Sequence, residues 1–147
     1  MTEAEVLEAI QNYANQNGFE IKPPKDNIIE MKFHPNPKVE LALKYDLTGG
    51  GGAWITFKLL LGQILDLGAC IGLLFIGRIP GTSFYLRGEK IGDSYYLFGE
   101  TFVHLRKDMT VHQATDEMCL VADMKSLFLL PPITWPRGVE IYFLNRT

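Results

Sequence analysis

Over the first seventeen positions apolar residues recur at three- and four-residue spacing. Val6, Leu7, Ile10, Tyr13 and Ala14 form one stripe, which predicts a helix over residues 3–17. Thr2 and Glu5 have the spacing of a capping box, and Asn17-Gly18 supplies a left-handed stop. Pro23-Pro24 interrupts regular structure, and beyond it the period falls to two. Ile29, Met31 and Phe33 alternate with Glu30 and Lys32. Val39, Leu41, Leu43 and Tyr45 alternate with Lys38, Glu40 and Lys44, with Ala42 among the latter. Between these runs lies His34-Pro35-Asn36-Pro37, where each proline pushes its predecessor out of the α region. The two runs therefore predict an antiparallel hairpin.

Gly49 to Gly52 predicts a loose hairpin loop, and Trp54 to Leu61 a third strand. Leu65 to Ile76 reads as a short buried helix with Asp66 at its N-cap, ended by Gly77 and Pro80-Gly81. The strand–helix boundary is unmarked, because a continuous apolar run hides its period. Ser83–Arg87 and Ser94–Leu105 predict a second hairpin around a Gly88–Asp93 loop. In it Phe84 and Leu86 oppose Tyr85 and Arg87, while Tyr96, Phe98 and Phe102 oppose Tyr95, Leu97 and Val103. Thr110 and Gln113 form another capping box, and Ala114, Met118, Val121 and Ala122 carry a helix to about Leu127. Pro131, Pro132, Pro136 and Gly138 break the chain. Val139, Ile141 and Phe143 then alternate with Glu140, Tyr142 and Leu144, a last short strand. The expected fold is α+β, an antiparallel sheet of about five to six strands with three helices. It is expected as a single domain over residues 1–147, with a core module over 1–128 and a proline-containing tail over 129–147.

Composition narrows this picture. With 147 residues, of which 47% are hydrophobic, the chain is long enough for one domain with a self-sufficient core, and disorder is excluded. Fourteen Lys and Arg against seventeen Asp and Glu leave a net charge of −3, and no basic run is present. Phosphate neutralisation needs an excess of cations, so no nucleic-acid partner is expected. Residues 1–30 carry six acidic side chains against Lys22 and Lys25, a solvated face or a surface for a basic partner. The most membrane-like stretch, Phe57 to Ile76, is interrupted by Lys58, Gln63 and Asp66, and its longest run without a charged or amide residue, Leu67 to Gly77, falls well short of the roughly 20 residues of a membrane span. The N-terminus is acidic and unlike a signal peptide. A cytoplasmic protein without membrane association is expected. Cys70 and Cys119 form no CxxC and read as buried free thiols.

The candidate chemistry is sparse. Gly49–Gly52 is followed by Ala53-Trp54 and not by the Lys-Ser/Thr of a phosphate loop. His112 and Cys119 stand two helical turns apart and, with His104, would make three zinc ligands, but no H-E-x-x-H or paired cysteines accompany them. Asp116, Glu117 and Asp123 surround Cys119 in sequence and raise its pKa, which argues against a nucleophile. No catalytic, metal or cofactor-binding residue is assigned, and no cofactor is expected. Aromatic residues are more informative. Phe84, Tyr85, Tyr95, Tyr96, Phe98 and Phe102 crowd both faces of the second hairpin. One face covers the core; the other lies under a helix or forms an interface. Leu73, Tyr85, Tyr95 and Phe128 are the candidate interface residues. Gly68 and Gly72 allow close backbone approach at a dimer contact.

Three segments carry a family resemblance: Trp54-Ile55-Thr56-Phe57-Lys58-Leu59, Ala69-Cys70-Ile71-Gly72-Leu73-Leu74, and Tyr95-Tyr96-Leu97-Phe98-Gly99-Glu100 followed by Thr110-Val111. Together with the element order over residues 3–128, they resemble the type III secretion chaperone fold, and within it the YbjN-like group of sensory-transduction regulators. The resemblance implies a non-enzymatic, often dimeric module that contacts other proteins, with no catalytic residues. The expected function is a small non-enzymatic protein-interaction module, chaperone-like or regulatory, acting as a homodimer. The alternative is a small-molecule-binding or enzymatic domain with an apolar pocket between the sheet and the 57–76 segment. A zinc-dependent role would show as stoichiometric metal in the purified protein.

Overall fold

The computed structural model describes residues 1–135 and 137–144, without the side chains of residues 72–76. Pro136 and the side chain of Leu73 lie outside the described residues. The chain runs α1 (Glu3–Asn17), β1 (Phe19–Ile21), β2 (Ile28–Phe33), β3 (Asn36–Leu47), β4 (Ala53–Ile64) and α2 (Leu67–Ile76). It continues through β5 (Tyr85–Ile91), β6 (Ser94–Leu105), α3 (Val111–Val121), α4 (Met124–Phe128), a 3-10 turn (Pro132–Thr134) and β7 (Val139–Ile141). The fold is α+β. Seven strands form one antiparallel sheet in the order β1-β2-β3-β4-β6-β5, with β7 on β4. The sheet is open and is not closed into a barrel.

The count exceeds the expected five to six because two strands are only three residues long. β1 escapes pattern reading for that reason. It pairs with β2 through a tight turn in which Asp26 and Asn27 both take positive φ, while Lys25 and Ile28 exchange two backbone hydrogen bonds of 2.9 Å. Asx residues tolerate that conformation, which matches the twist of the strands. β7 is the last short strand expected from the alternation at Val139.

Both capping boxes form. Thr2 accepts from the Glu5 amide at 3.2 Å, and Thr110 accepts from the Gln113 amide at 3.1 Å; both glutamyl-type side chains return the bond. Thr110→Ala is expected to destabilise the protein by about 1 kcal/mol, read as a lowered urea midpoint with unchanged slope. The predicted third helix divides in two. Asp123 accepts from the Ser126 amide at 3.1 Å and so caps α4 separately. The Ser126 hydroxyl also donates to Asp123, and these bonds lower the Asp123 pKa.

One face of the sheet carries the core. Val39, Leu41, Leu43 and Tyr45 of β3, Ile55, Phe57 and Leu59 of β4, and Leu97, Val103 and Leu105 of β6 are buried there. Val6, Ala9, Ile10 and Tyr13 of α1 and Ala114 and Met118 of α3 belong to the same cluster. The tail beyond residue 129 is part of that core, since Trp135, Val139 and Ile141 are buried in it. β3 leaves β4 beyond the Leu41–Leu59 pair, and β7 takes the vacated side, pairing Val139 with Ile64 and Ile141 with Gly62. Asn36 donates through its side-chain amide to the Tyr142 carbonyl, and the Tyr142 amide donates to the Leu61 carbonyl at 2.9 Å. The tail thus fills a fork in the sheet. Gly62 is essential to this fit, because a Cβ there would stand 1.9 Å from the Glu140 carbonyl oxygen.

Candidate functional site

Strand alternation sends every second side chain to the opposite face. On β4 these are Trp54, Thr56, Lys58 and Leu60; on β6 they are Tyr96, Phe98, Glu100, Phe102 and His104. The strand register extends this face to Ala42 and Lys44 on β3 and to Tyr85, Arg87, Glu89 and Ile91 on β5. α1 and α3 bury their apolar stripes against the core face. On the other face Trp54, Phe102, Tyr85 and Ile91 are 51%, 52%, 48% and 53% exposed. This open face is the candidate site.

Its centre is built from cross-strand pairs. Trp54 lies opposite His104, and their rings stack with centroids 4.4 Å apart. Thr56 lies opposite Phe102, Lys58 opposite Glu100, and Leu60 opposite Phe98. The Lys58 ammonium sits 4.6 Å from the centroid of the Phe98 ring and 2.7 Å from Glu89. That ion pair is about one-third exposed on each side, so it is only partly screened. Arg87 reaches Glu100 at 3.4 Å, and Lys44 lies 3.9 Å from Asp46. Leu60, Ile91, Tyr96 and Phe98, with Ala42, Glu40 and Lys58, line a shallow concavity of about 290 Å³. The face is therefore apolar and aromatic in the middle, with charges of both signs held mostly in pairs.

The four sequence candidates do not converge. Tyr85 stands on the open face beside Glu100. Tyr95 is opposite Lys90 and Ile64, on the other side of the sheet, with the Lys90 ammonium 5.8 Å from its ring centroid. Phe128 is packed within its own chain, its ring 4.8 Å from that of Phe33 and 4.8 Å from that of Phe143. Leu73 is outside the described side chains. Sequence reasoning passed over Trp54 and Ile91. Trp54 shares strand parity with Lys58, which places it away from Ile55 and Phe57; that signal was present in the alternation.

The other candidate groups are dispersed. His34 lies in the β2–β3 turn, His104 on β6, and His112 in the first turn of α3, its Nε2 3.3 Å from Asp116. Among the described residues no three His, Cys, Asp or Glu side chains gather to hold a metal. Burial pushes the Cys119 thiol up, against the hydrogen bond from Asn17, and burial with Asp66 pushes the Cys70 thiol up. Both thiols are therefore held in the protonated, weakly nucleophilic form. Between the sheet and the 57–76 segment the β4 side chains Phe57, Leu59 and Leu61 are fully buried in the core. The concavity that touches β4 at Lys58 and Leu60 belongs to the open face. No described helix is long and apolar enough to cross a membrane.

The chain matches no family model, no curated protein and no solved structure.

Proposed function

We propose that this chain is a small non-enzymatic protein-interaction module, chaperone-like or regulatory, that docks through the open face of its sheet and acts as a homodimer. The observation that carries the reading is the exposure of Trp54, Tyr85, Ile91 and Phe102 together on one face. Scattered single apolar residues are normal on a surface, but clustered ones mark interaction sites. Aromatic residues bring large contact areas at low entropic cost and are enriched among residues that dominate binding. The charged groups of the face are engaged with one another, which suits them to fixing register. The resemblance of the sequence segments over residues 3–128 to the type III secretion chaperone fold is in keeping with this proposal.

The test is molar mass by light scattering after size exclusion, across a dilution series. The wild type is expected near twice 16.6 kDa, and Trp54→Glu with Phe102→Glu is expected to weaken self-association by roughly 100-fold or more. Circular dichroism should show the variant folded, since both side chains are half-exposed. A dimer indifferent to this double substitution would place the contact elsewhere and defeat the reading.

A further inference from the structure

We infer that two copies dock open face to open face, about a two-fold axis parallel to the strands and lying between β4 and β6. This rests on the reading of the open face as a docking surface and names its occupant as a second copy of the chain. The strand register places the residues that would meet. Two adjacent rows cross the sheet. One runs Ala42, Lys58, Glu100, Tyr85; the next runs Leu60, Phe98, Arg87, with Glu40 at its β3 end, where it lines the same concavity as Leu60 and Phe98. A two-fold axis along the strands reverses each row over itself, so that β4 lies over the partner's β6 and β3 over the partner's β5.

Under that operation the central facing pairs are complementary, and the one like-charge pair, Glu140 of β7 over the partner's Glu89, lies toward the end of the strands, with Glu89 already paired to Lys58 of its own chain. Lys58 meets the partner's Glu100, and Glu40 meets the partner's Arg87. Leu60 faces the partner's Phe98, Thr56 the partner's Phe102, Trp54 the partner's His104, and Ala42 the partner's Tyr85. The reason is structural: β4 and β6 already present matched cross-strand pairs within one sheet, and this axis repeats the same matches between sheets. Aligned sheets pack about 10 Å apart with strands within about 30°, so the central rows make closest contact. The in-chain pairs Lys58–Glu89 and Arg87–Glu100 would extend into a network across the interface. The competing axis, perpendicular to the strands through the Lys58 row, sets Lys58 on the partner's Lys58 and Glu100 on the partner's Glu100. Juxtaposed like charges are strongly unfavourable at an interface. The near balance of charge on the face also favours a self-complementary partner over a strongly charged one.

The experiment is a charge swap read by light scattering at several concentrations, with Phe102→Glu alongside. Glu40 and Arg87 are both exposed; because Arg87→Glu also removes the in-chain partner of Glu100, circular dichroism and a melting curve are run on every variant, and the double variant is compared with Arg87→Glu alone. Glu40→Arg alone sets two cations together, and Arg87→Glu alone sets two carboxylates together. Each is expected to raise the dimer dissociation constant by roughly tenfold or more. The double variant restores the match between residues 40 and 87, though not the in-chain bond to Glu100, and is expected to dimerise at least about fivefold more tightly than Arg87→Glu alone. A double variant no better than Arg87→Glu alone overturns this axis; if Phe102→Glu still dissociates the dimer, the docking face itself stands. A wild type that stays monomeric at every concentration overturns both this inference and the homodimer.

Discussion

Gly62→Ala is expected to unseat β7 and destabilise the protein by roughly 3–5 kcal/mol. The added methyl would fall 1.9 Å from the Glu140 carbonyl oxygen and 3.0 Å from the Ile141 Cα, backbone atoms that no rotamer change can clear. The tail must move, and with it go the buried side chains of Val139 and Ile141 and the pairing of residues 139–141 with β4. The fit is tight on the other side as well. Gly138 has φ +78°, and a Cβ there would come 2.8 Å from that of Asp66. Hydrogen exchange should show amides 139–142 losing protection in the variant, along with a clearly lowered melting temperature. Gly50→Ala is the control: a Cβ there meets nothing within 4 Å, and its melting temperature should stay near wild type. A Gly62→Ala protein as stable and as protected as wild type would show that β7 is not seated on β4.

Tyr13→Ala is expected to cost about 3–5 kcal/mol, and Tyr13→Phe about 1–2 kcal/mol. Tyr13 is fully buried where α1 meets α3. Its ring meets Phe57 edge-on at 5.1 Å between centroids, and its hydroxyl donates to the Ala122 carbonyl at 2.9 Å, just where α3 ends. Removing the hydroxyl leaves that carbonyl unpaired; removing the ring leaves a cavity. Burial, assisted by the nearby Cys119 and Asp123, raises the phenol pKa above its ordinary value. The unfolded chain then loses this proton first as pH rises. Stability from the neutral phenol is complete below the ordinary tyrosine pKa of about 10 and declines above it. Tyr13→Phe has no such proton, so the gap between it and wild type should narrow above pH 10. Urea unfolding at neutral pH and near pH 11 checks this; an unchanged gap would mean that folding leaves the Tyr13 phenol pKa where it stands in the unfolded chain.

Most of the helices and the two hairpins could be read from periodicity, because α1, β2, β3 and β6 are long enough for three or more apolar repeats. What escaped was either short or non-local. β5 runs on to Ile91 through Gly88 and Glu89, which look like loop; pairing with β6 from Glu100 to Ser94 overrides their weak strand preference. β4 continues to Ile64 through a bulge at Leu61, inside an apolar run whose period is hidden. The break before Asp123 did carry a signal, since Asp123 and Ser126 have N-cap spacing. The open face was half legible. Alternation puts Tyr96, Phe98 and Phe102 together, but nothing in the sequence says that β4 lies beside β6 or that Trp54 lands on His104. The tail contact was not legible at all, because the need for glycine at residue 62 arises from a strand far along the chain.

That distance shapes how the molecule assembles. β2, β3 and β4 pair with sequence neighbours and can close early, whereas Gly62 waits for Ile141, roughly 80 positions later, and long-range closures come slowly. On a translating ribosome, the β3-side edge of β4 at Gly62–Ile64 stays without its strand until residue 141 has emerged. During synthesis this nascent chain therefore carries an unsealed edge in the middle of its sheet, and the step that seals it is among the last.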